Sequence, residues 1–162
     1  MKKELEELLT DCEEELNDIK LRIDRTSPLD KMRVYLTQYA LIRASGTAEF
    51  VYRSIVADYF SRFMDSKIDT YIEKTVREGS MSAKYDMMSN LLGRFDGKWQ
   101  KDFQNKSKSR RDFERLKLSS NSLVENRHLF AHGKRPTATF NDIYGYYQDV
   151  VVLIKLMDEV VT

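Results

Sequence analysis

Leu5, Leu8, Cys12, Leu16, Ile19 and Ile23 recur at spacings of three and four, with charged residues between them. That period places a narrow apolar seam on a helix from about Lys2 to Asp24. Thr26-Ser27-Pro28-Leu29-Asp30 follows, supplying a capping hydroxyl, a proline suited to a first turn and an acid three residues after the cap. The helix it predicts is long: Leu36, Tyr39, Ala40, Ala44, Ala48, Val51, Ile55, Tyr59 and Phe63 thread onto one face. Ser45-Gly46 interrupts that face, as either a close helix–helix contact or a kink. Asp65-Ser66 caps a shorter helix carrying Ile68, Ile72 and Val76, which Gly79 ends.

From Ser82 to about Phe95 a further helix turns Met87, Met88, Leu91 and Leu92 inward, and Asp96-Gly97 breaks it. Trp99 and Phe103 anchor a short helical piece ahead of a polar, basic loop from Asn105 to Arg111. Phe113, Leu116 and Leu118 resume the apolar pattern. Ser119-Ser120-Asn121-Ser122 is a run of capping residues, predicted to begin a helix that ends near Gly133. After a loop at Lys134-Arg135-Pro136-Thr137, the last helix runs from about Asn141 to Val161, with Ile143, Tyr147, Val150, Ile154, Met157 and Val161 inward. Six or seven helices and no strand predict an all-α fold, an up-and-down helical bundle over residues 1–162.

Composition supports this reading. A third of the 162 residues are charged, while only six Gly and two Pro punctuate the chain. No apolar run approaches a membrane span, and the Met-Lys-Lys-Glu start has no apolar leader segment, so neither a signal peptide nor a membrane partner is expected, and the cytoplasm is the expected compartment. Cys12, the single cysteine, falls on the first apolar seam and reads as a buried small hydrophobe. The net charge of +1 conceals polarity: residues 2–18 carry eight acids against two Lys, and residues 94–135 carry twelve Lys and Arg against five acids. Anion binding is favoured on one side only.

The two histidines fall in Glu125-Asn126-Arg127-His128-Leu129-Phe130-Ala131-His132-Gly133. No other side chain has an ordinary pKa near neutrality, so acid–base chemistry at that pH points here. At 100° per residue His128 and His132 share a helix face, whereas Arg127 lies roughly 140° from His132 and about 7.5 Å along the axis. One regular helix therefore does not close Arg127 onto His132. The two can grip opposite ends of a phosphodiester or meet groups of a second subunit. Such a set suits RNA cleavage without a metal or cofactor: an imidazole takes the 2′-hydroxyl proton, an imidazolium protonates the leaving 5′-oxygen, and a guanidinium clamps the phosphoryl oxygens. The plainer alternative is a helix-end histidine capping carbonyls beside a surface ion pair. A His-x-x-x-His metal site lacks both the Glu of a metalloprotease and a third ligand.

The stretch Leu123 to Gly133 resembles the signature of the HEPN superfamily, an Arg, four to six residues and a His, with a polar residue directly after the Arg and a common Ala-His-Gly ending. Arg127, His128, His132, Ala131 and Gly133 match those positions. Ala44 to Glu49 resembles the long second helix of some bacterial branches. The resemblance implies about five core helices plus short extra ones, a homodimer with the motif helices at the interface, and metal-independent endoribonuclease activity leaving 2′,3′-cyclic phosphate ends. On this chain it makes His132 the acid–base residue, Arg127 the phosphate clamp and His128 a positioning or second proton-transfer group. Family members act as toxins or in phage defence, often with a nucleotidyltransferase-like antitoxin, or within a larger defence complex. Where some carry a modifiable Tyr two residues after the motif His, this chain has Lys134.

Lys106, Lys108, Arg110, Arg111, Lys134 and Arg135 are candidates to contact an RNA backbone, against the alternative of a solvated charged loop. Asn126 and Glu49 are candidate auxiliary polar groups. Tyr144, Tyr146 and Tyr147 invite base stacking, but Tyr147 fits the inward stripe and packing is preferred. The rival to a nuclease is a non-catalytic helical adaptor that dimerises or docks a partner, with the acidic first helix as the docking element. A catalytic domain inert until a larger complex activates it stands between them.

Overall fold

The computed structural model describes residues 1–61 and 65–162, and Phe63 of the expected second-helix stripe lies outside them. Among the described residues seven α-helices follow in order: α1 (Lys3–Arg25), α2 (Lys31–Phe60), α3 (Ser66–Ile72), α4 (Tyr85–Phe95), α5 (Gly97–Lys108), α6 (Phe113–Ala131) and α7 (Phe140–Asp158). A π-helical turn, Glu73–Arg77, extends α3. Among the described residues there is no strand.

The apolar seam of α1 buries Leu5, Leu9, Cys12, Leu16, Ile19 and Ile23, with Leu9 rather than Leu8 completely inside. Each large side chain removed from water contributes on the order of 1.5–3 kcal/mol, enough to hold an acidic helix that has little other reason to dock. Burial also pushes the Cys12 thiol above its ordinary pKa, so it is the inert hydrophobe expected.

Helix α2 starts later than the hydroxyl at Ser27 suggested. The Ser27 carbonyl accepts from Asp30 N (2.9 Å), forming a turn, and the Asp30 carboxylate then accepts from Met32 N (2.8 Å). Asp30 is thus the N-cap, satisfying an otherwise orphaned donor. Beyond it α2 is the central helix, packing on α1, α6 and α7. Ala40, Leu41, Ala44, Ala48, Val51, Tyr52 and Ile55 are buried, whereas Tyr39 turns outward to Glu15. The helix runs unbroken through Gly46, which faces solvent with no atom within 4 Å of where a Cβ would stand. Of the Ser45-Gly46 pair, Ser45 is buried in the bundle and Gly46 makes no close contact within the chain.

Several predicted boundaries and facings differ in the structure. Helix α5 continues to Lys108 because Ser107 is buried and donates to Phe103 O (2.7 Å), leaving only 109–112 as loop. Ile68 and Leu118 point to solvent, and at the C-terminal end Val160 rather than Val161 is buried. Helix α6 begins at Phe113, so Ser119 and Ser120 lie inside it rather than cap it. Ser119 Oγ donates to Asp149 Oδ2 of α7 (2.6 Å), and Arg115 Nη1 donates to the other oxygen (2.5 Å). Ser120 Oγ accepts from Tyr85 N (3.1 Å), so one serine pair ties α6 to both α7 and α4.

Asp58 anchors the far end of α2. Burial opposes its charge, but Lys2 Nζ (2.9 Å) and Arg77 Nη2 (2.6 Å) outweigh it and hold the carboxyl below the ordinary carboxylate range. A depressed folded pKa stabilises the protein above the unfolded value and loses that contribution as pH falls through the folded one. The urea midpoint is therefore expected to drop below about pH 4, with a shallower slope in Asp58→Asn. Parallel slopes in the two proteins would remove this group from the acid response.

Candidate active site

The site forms where α6 stops. Gly133 takes a left-handed backbone (φ 70°), its N–H bonds to Phe130 O (3.0 Å), and Lys134 N bonds to Leu129 O (2.8 Å). This closure satisfies the terminal carbonyls and fixes His132 as the last residue before the reversal. Only glycine takes that conformation without strain. Gly133→Ala is expected to destabilise the fold by about 1–2 kcal/mol, read as a lowered urea midpoint, and an unchanged midpoint would refute this role.

His128 and His132 sit one turn apart on the solvent face, with ring centroids 6.4 Å apart and planes nearly perpendicular (86°). Glu125, Leu129 and Lys134 complete an open recess of about 370 Å³ around them. Glu125 shares this face because it lies about one turn before His128, and that spacing is the signal that marks it in the sequence. It pairs with Lys84 at the rim (3.4 Å).

Arg127 points elsewhere. Its guanidinium is half-buried against α2, where it forms an ion pair with Glu49, whose side chain is 14% exposed. Glu49 thus does touch the motif, across 78 positions of sequence. Inside one chain the arginine and the recess lie on different sides of α6, as the 140° separation required. Arg127 forms the flank along α2, and the imidazoles form the outer face.

Asn126, directly before Arg127, is 6% exposed and turned from the recess. Its Oδ1 accepts from Thr137 N (2.8 Å) and Ala138 N (2.9 Å), and Nδ2 donates to Ser122 O (2.9 Å). The amide clamps the loop after the motif onto α6. An auxiliary role for Asn126 would therefore act through this loop and not within the recess.

The six candidate RNA-contacting cations divide. Lys134 and Arg135 adjoin the motif, and Arg135 with Pro136 lines a larger cleft of about 970 Å³ beside Gln38, Tyr35 and Lys31 of α2. Lys106, Lys108, Arg110 and Arg111 lie at the opposite end of α6, which at 19 residues is about 28 Å long. Lys106 pairs there with Glu159, and Arg110 with Asp112. Starting α6 six residues early is what carries these four away from the motif. Tyr147 is buried and donates to Leu9 O (2.9 Å), so it is a core residue. Tyr144 stacks on Phe140. Among the described residues no three His, Cys, Asp or Glu side chains are grouped as a metal shell requires.

The described residues thus form an all-α bundle in which an Arg and His motif ends α6 and its arginine meets α2, the longest helix. Residues 7–162 match the family model described as RiboL-PSP-HEPN, and the chain belongs to this HEPN family. No curated protein and no solved structure matches it. HEPN domains often dimerise and bind RNA, and many but not all are ribonucleases. Among the described residues no helix is long and apolar enough to cross a membrane.

Proposed function

We propose that the chain is a metal-independent endoribonuclease acting in the cytoplasm as a single HEPN domain of a dimer. One observation carries the reading: two solvent-facing imidazoles one turn apart at a rigidly closed helix end, on a helix whose other flank carries a guanidinium held by a carboxylate. The 6.4 Å centroid separation lets two rings address the attacking and leaving oxygens of one phosphodiester, each needing a nitrogen within about 2.6–3.2 Å.

In the proposed reaction His132 or His128 removes the 2′-hydroxyl proton as that oxygen bonds to phosphorus. The P–O5′ bond breaks, and an imidazolium protonates the departing 5′-oxygen. The products are a 2′,3′-cyclic phosphate and a 5′-hydroxyl, with no oxidant, metal or water consumed. An Arg127 supplied across the dimer stabilises the phosphoryl oxygens, and Glu49 is a positioning residue that limits the rotamers of its guanidinium. Because the pair is half-buried and net neutral, RNA must compete with Glu49 for Arg127, which suits a protein whose activity is restrained until substrate or an activating partner arrives. A toxin or phage-defence effector, checked by an antitoxin or a larger complex, is the biological setting proposed.

The same ion pair supports a second reading, a non-catalytic adaptor in which Arg127–Glu49 only joins α6 to α2. Purified protein incubated with single-stranded RNA in excess chelator distinguishes them. Cleavage with 2′,3′-cyclic phosphate ends is expected; intact RNA, across structured and unstructured substrates, would favour the adaptor.

A further inference from the structure

The recess that holds the two imidazoles and the larger cleft meet at one peptide bond. Lys134 lines the recess, and the next residue, Arg135, lines the cleft. Arg135 is three residues past His132, at most about 11 Å along the chain. The loop between α6 and α7 is therefore a wall of both cavities. Asn126 holds that wall in place, because its Oδ1 accepts from Thr137 N and Ala138 N, and Ala138 itself lines the cleft.

The cleft has an apolar floor and unmatched polar groups above it. Leu41, Phe140 and Ile143 are buried residues on its lining. Its acids are engaged, Asp24 with Lys20 (2.9 Å) and Asp30 with Met32 N (2.8 Å). Arg33 is engaged as well, donating to Ile23 O (2.8 Å) and Thr26 O (2.9 Å). The side chains of Lys31, Tyr35, Gln38 and Arg135, by contrast, make no hydrogen bond or ion pair with the described residues. Tyr35 is 60% exposed, so much of its ring is open to a planar group. Gln38 is half-buried and offers a carbonyl acceptor beside an NH₂ donor. Its volume of about 970 Å³ lies near the top of the range for clefts that take small ligands.

We infer that this cleft is a nucleobase subsite: a base of single-stranded RNA enters it, stacks on Tyr35 and is read along its edge by Gln38, while Arg135 and Lys31 hold the adjoining phosphates. A nucleotide presents a flat face, an edge with a donor beside an acceptor, and an anion. The aromatic ring, the amide and the two cations match those three features in turn. An aliphatic or aromatic carboxylate would use the cations and leave the amide unmatched. The shared wall decides between a free nucleotide and a polymer. A strand whose scissile phosphate lies between His128 and His132 crosses Lys134 and reaches the cleft within a few nucleotides, so the base that is read stands at a fixed distance from the cut. The choice of RNA rests on the nuclease reading, but the subsite is tested without cleavage.

Short 2′-O-methyl RNA oligonucleotides lack the attacking hydroxyl, so fluorescence anisotropy reads their binding alone. The wild-type chain is expected to prefer one base at one position. Tyr35→Ala is expected to weaken binding about 10-fold or more, the size of one lost stacking contact. Gln38→Leu is expected to erase the base preference. Arg135→Ala is expected to weaken every sequence alike and to lower the slope of log affinity against log salt by about 0.7. Asn90→Ala, on the exposed side of α4, should change none of these. Should Tyr35→Ala not fold, the base preference of Gln38→Leu decides. Wild-type protein that binds no oligonucleotide, shows no base preference, or keeps both properties after the Tyr35 and Gln38 changes would overturn the proposal. So would a free mononucleotide that binds as tightly as the oligonucleotide. Cutting of unmodified RNA is read in parallel. Tyr35-dependent binding by a protein that cuts nothing would sink the nuclease and leave the subsite. Cutting whose base choice survives Gln38→Leu would sink the subsite and leave the nuclease.

Discussion

Arg127→Ala and His132→Ala are each expected to reduce RNA cutting by two to four orders of magnitude while the helical signal persists. A positioned acid–base group contributes about 10²–10⁴ in rate, and removing one donor that meets developing phosphoryl charge costs about 10²–10³. The double variant should be little worse than the poorer single one, because groups acting on one transition state are not additive. Arg127→Ala needs one further control. It leaves Glu49, 14% exposed, without its counter-ion, so a modest loss of stability accompanies the loss of rate. Combining it with Glu49→Gln removes the stranded charge. If that double variant regains stability but not cutting, the arginine acts on substrate; if it regains both, the ion pair was structural and Arg127 is not the phosphate clamp. His132→Ala carries no such complication, because the ring is exposed and the helix is closed by backbone bonds through Gly133 and Lys134.

Asn126→Ala is expected to act through stability. The amide is almost fully buried and accepts two backbone N–H groups from the segment between α6 and α7. Leaving a buried donor without its acceptor costs about 1–3 kcal/mol. Thr137 is exposed, so water replaces part of its bond, but Ala138 is half-buried and less easily rehydrated. A net loss of about 2–3 kcal/mol is expected on that basis, seen as a lower urea midpoint together with faster hydrogen exchange at Thr137 and Ala138. Unchanged exchange at those two amides, with cutting abolished, would instead give Asn126 a role in the reaction itself.

The helices were legible because their signal is local. The three-and-four spacing of Leu5, Cys12, Leu16, Ile19 and Ile23 states which face of α1 is buried without reference to any other segment. Asp65, Asp96 and Gly133 likewise mark boundaries through bonds made within a few residues of themselves. Ser27 and Ser119–Ser122 misled because a hydroxyl can cap a helix, bond within it or reach a neighbour, and the outcome depends on what packs there. Asp30 displaced Ser27 through a turn, and Asp149 and Tyr85 drew Ser119 and Ser120 inside α6.

The sequence by itself determined an all-α chain, a motif ending a helix, and the separation of Arg127 from the histidines, since helical periodicity fixes angles between near neighbours. Only the tertiary structure decided what each charge meets. It set Glu49 against Arg127, turned Asn126 onto the returning loop, moved four cations to the other end of α6 and left Gly46 uncovered. Those outcomes follow from which faces of distant helices are pressed together, and that depends on the whole core at once.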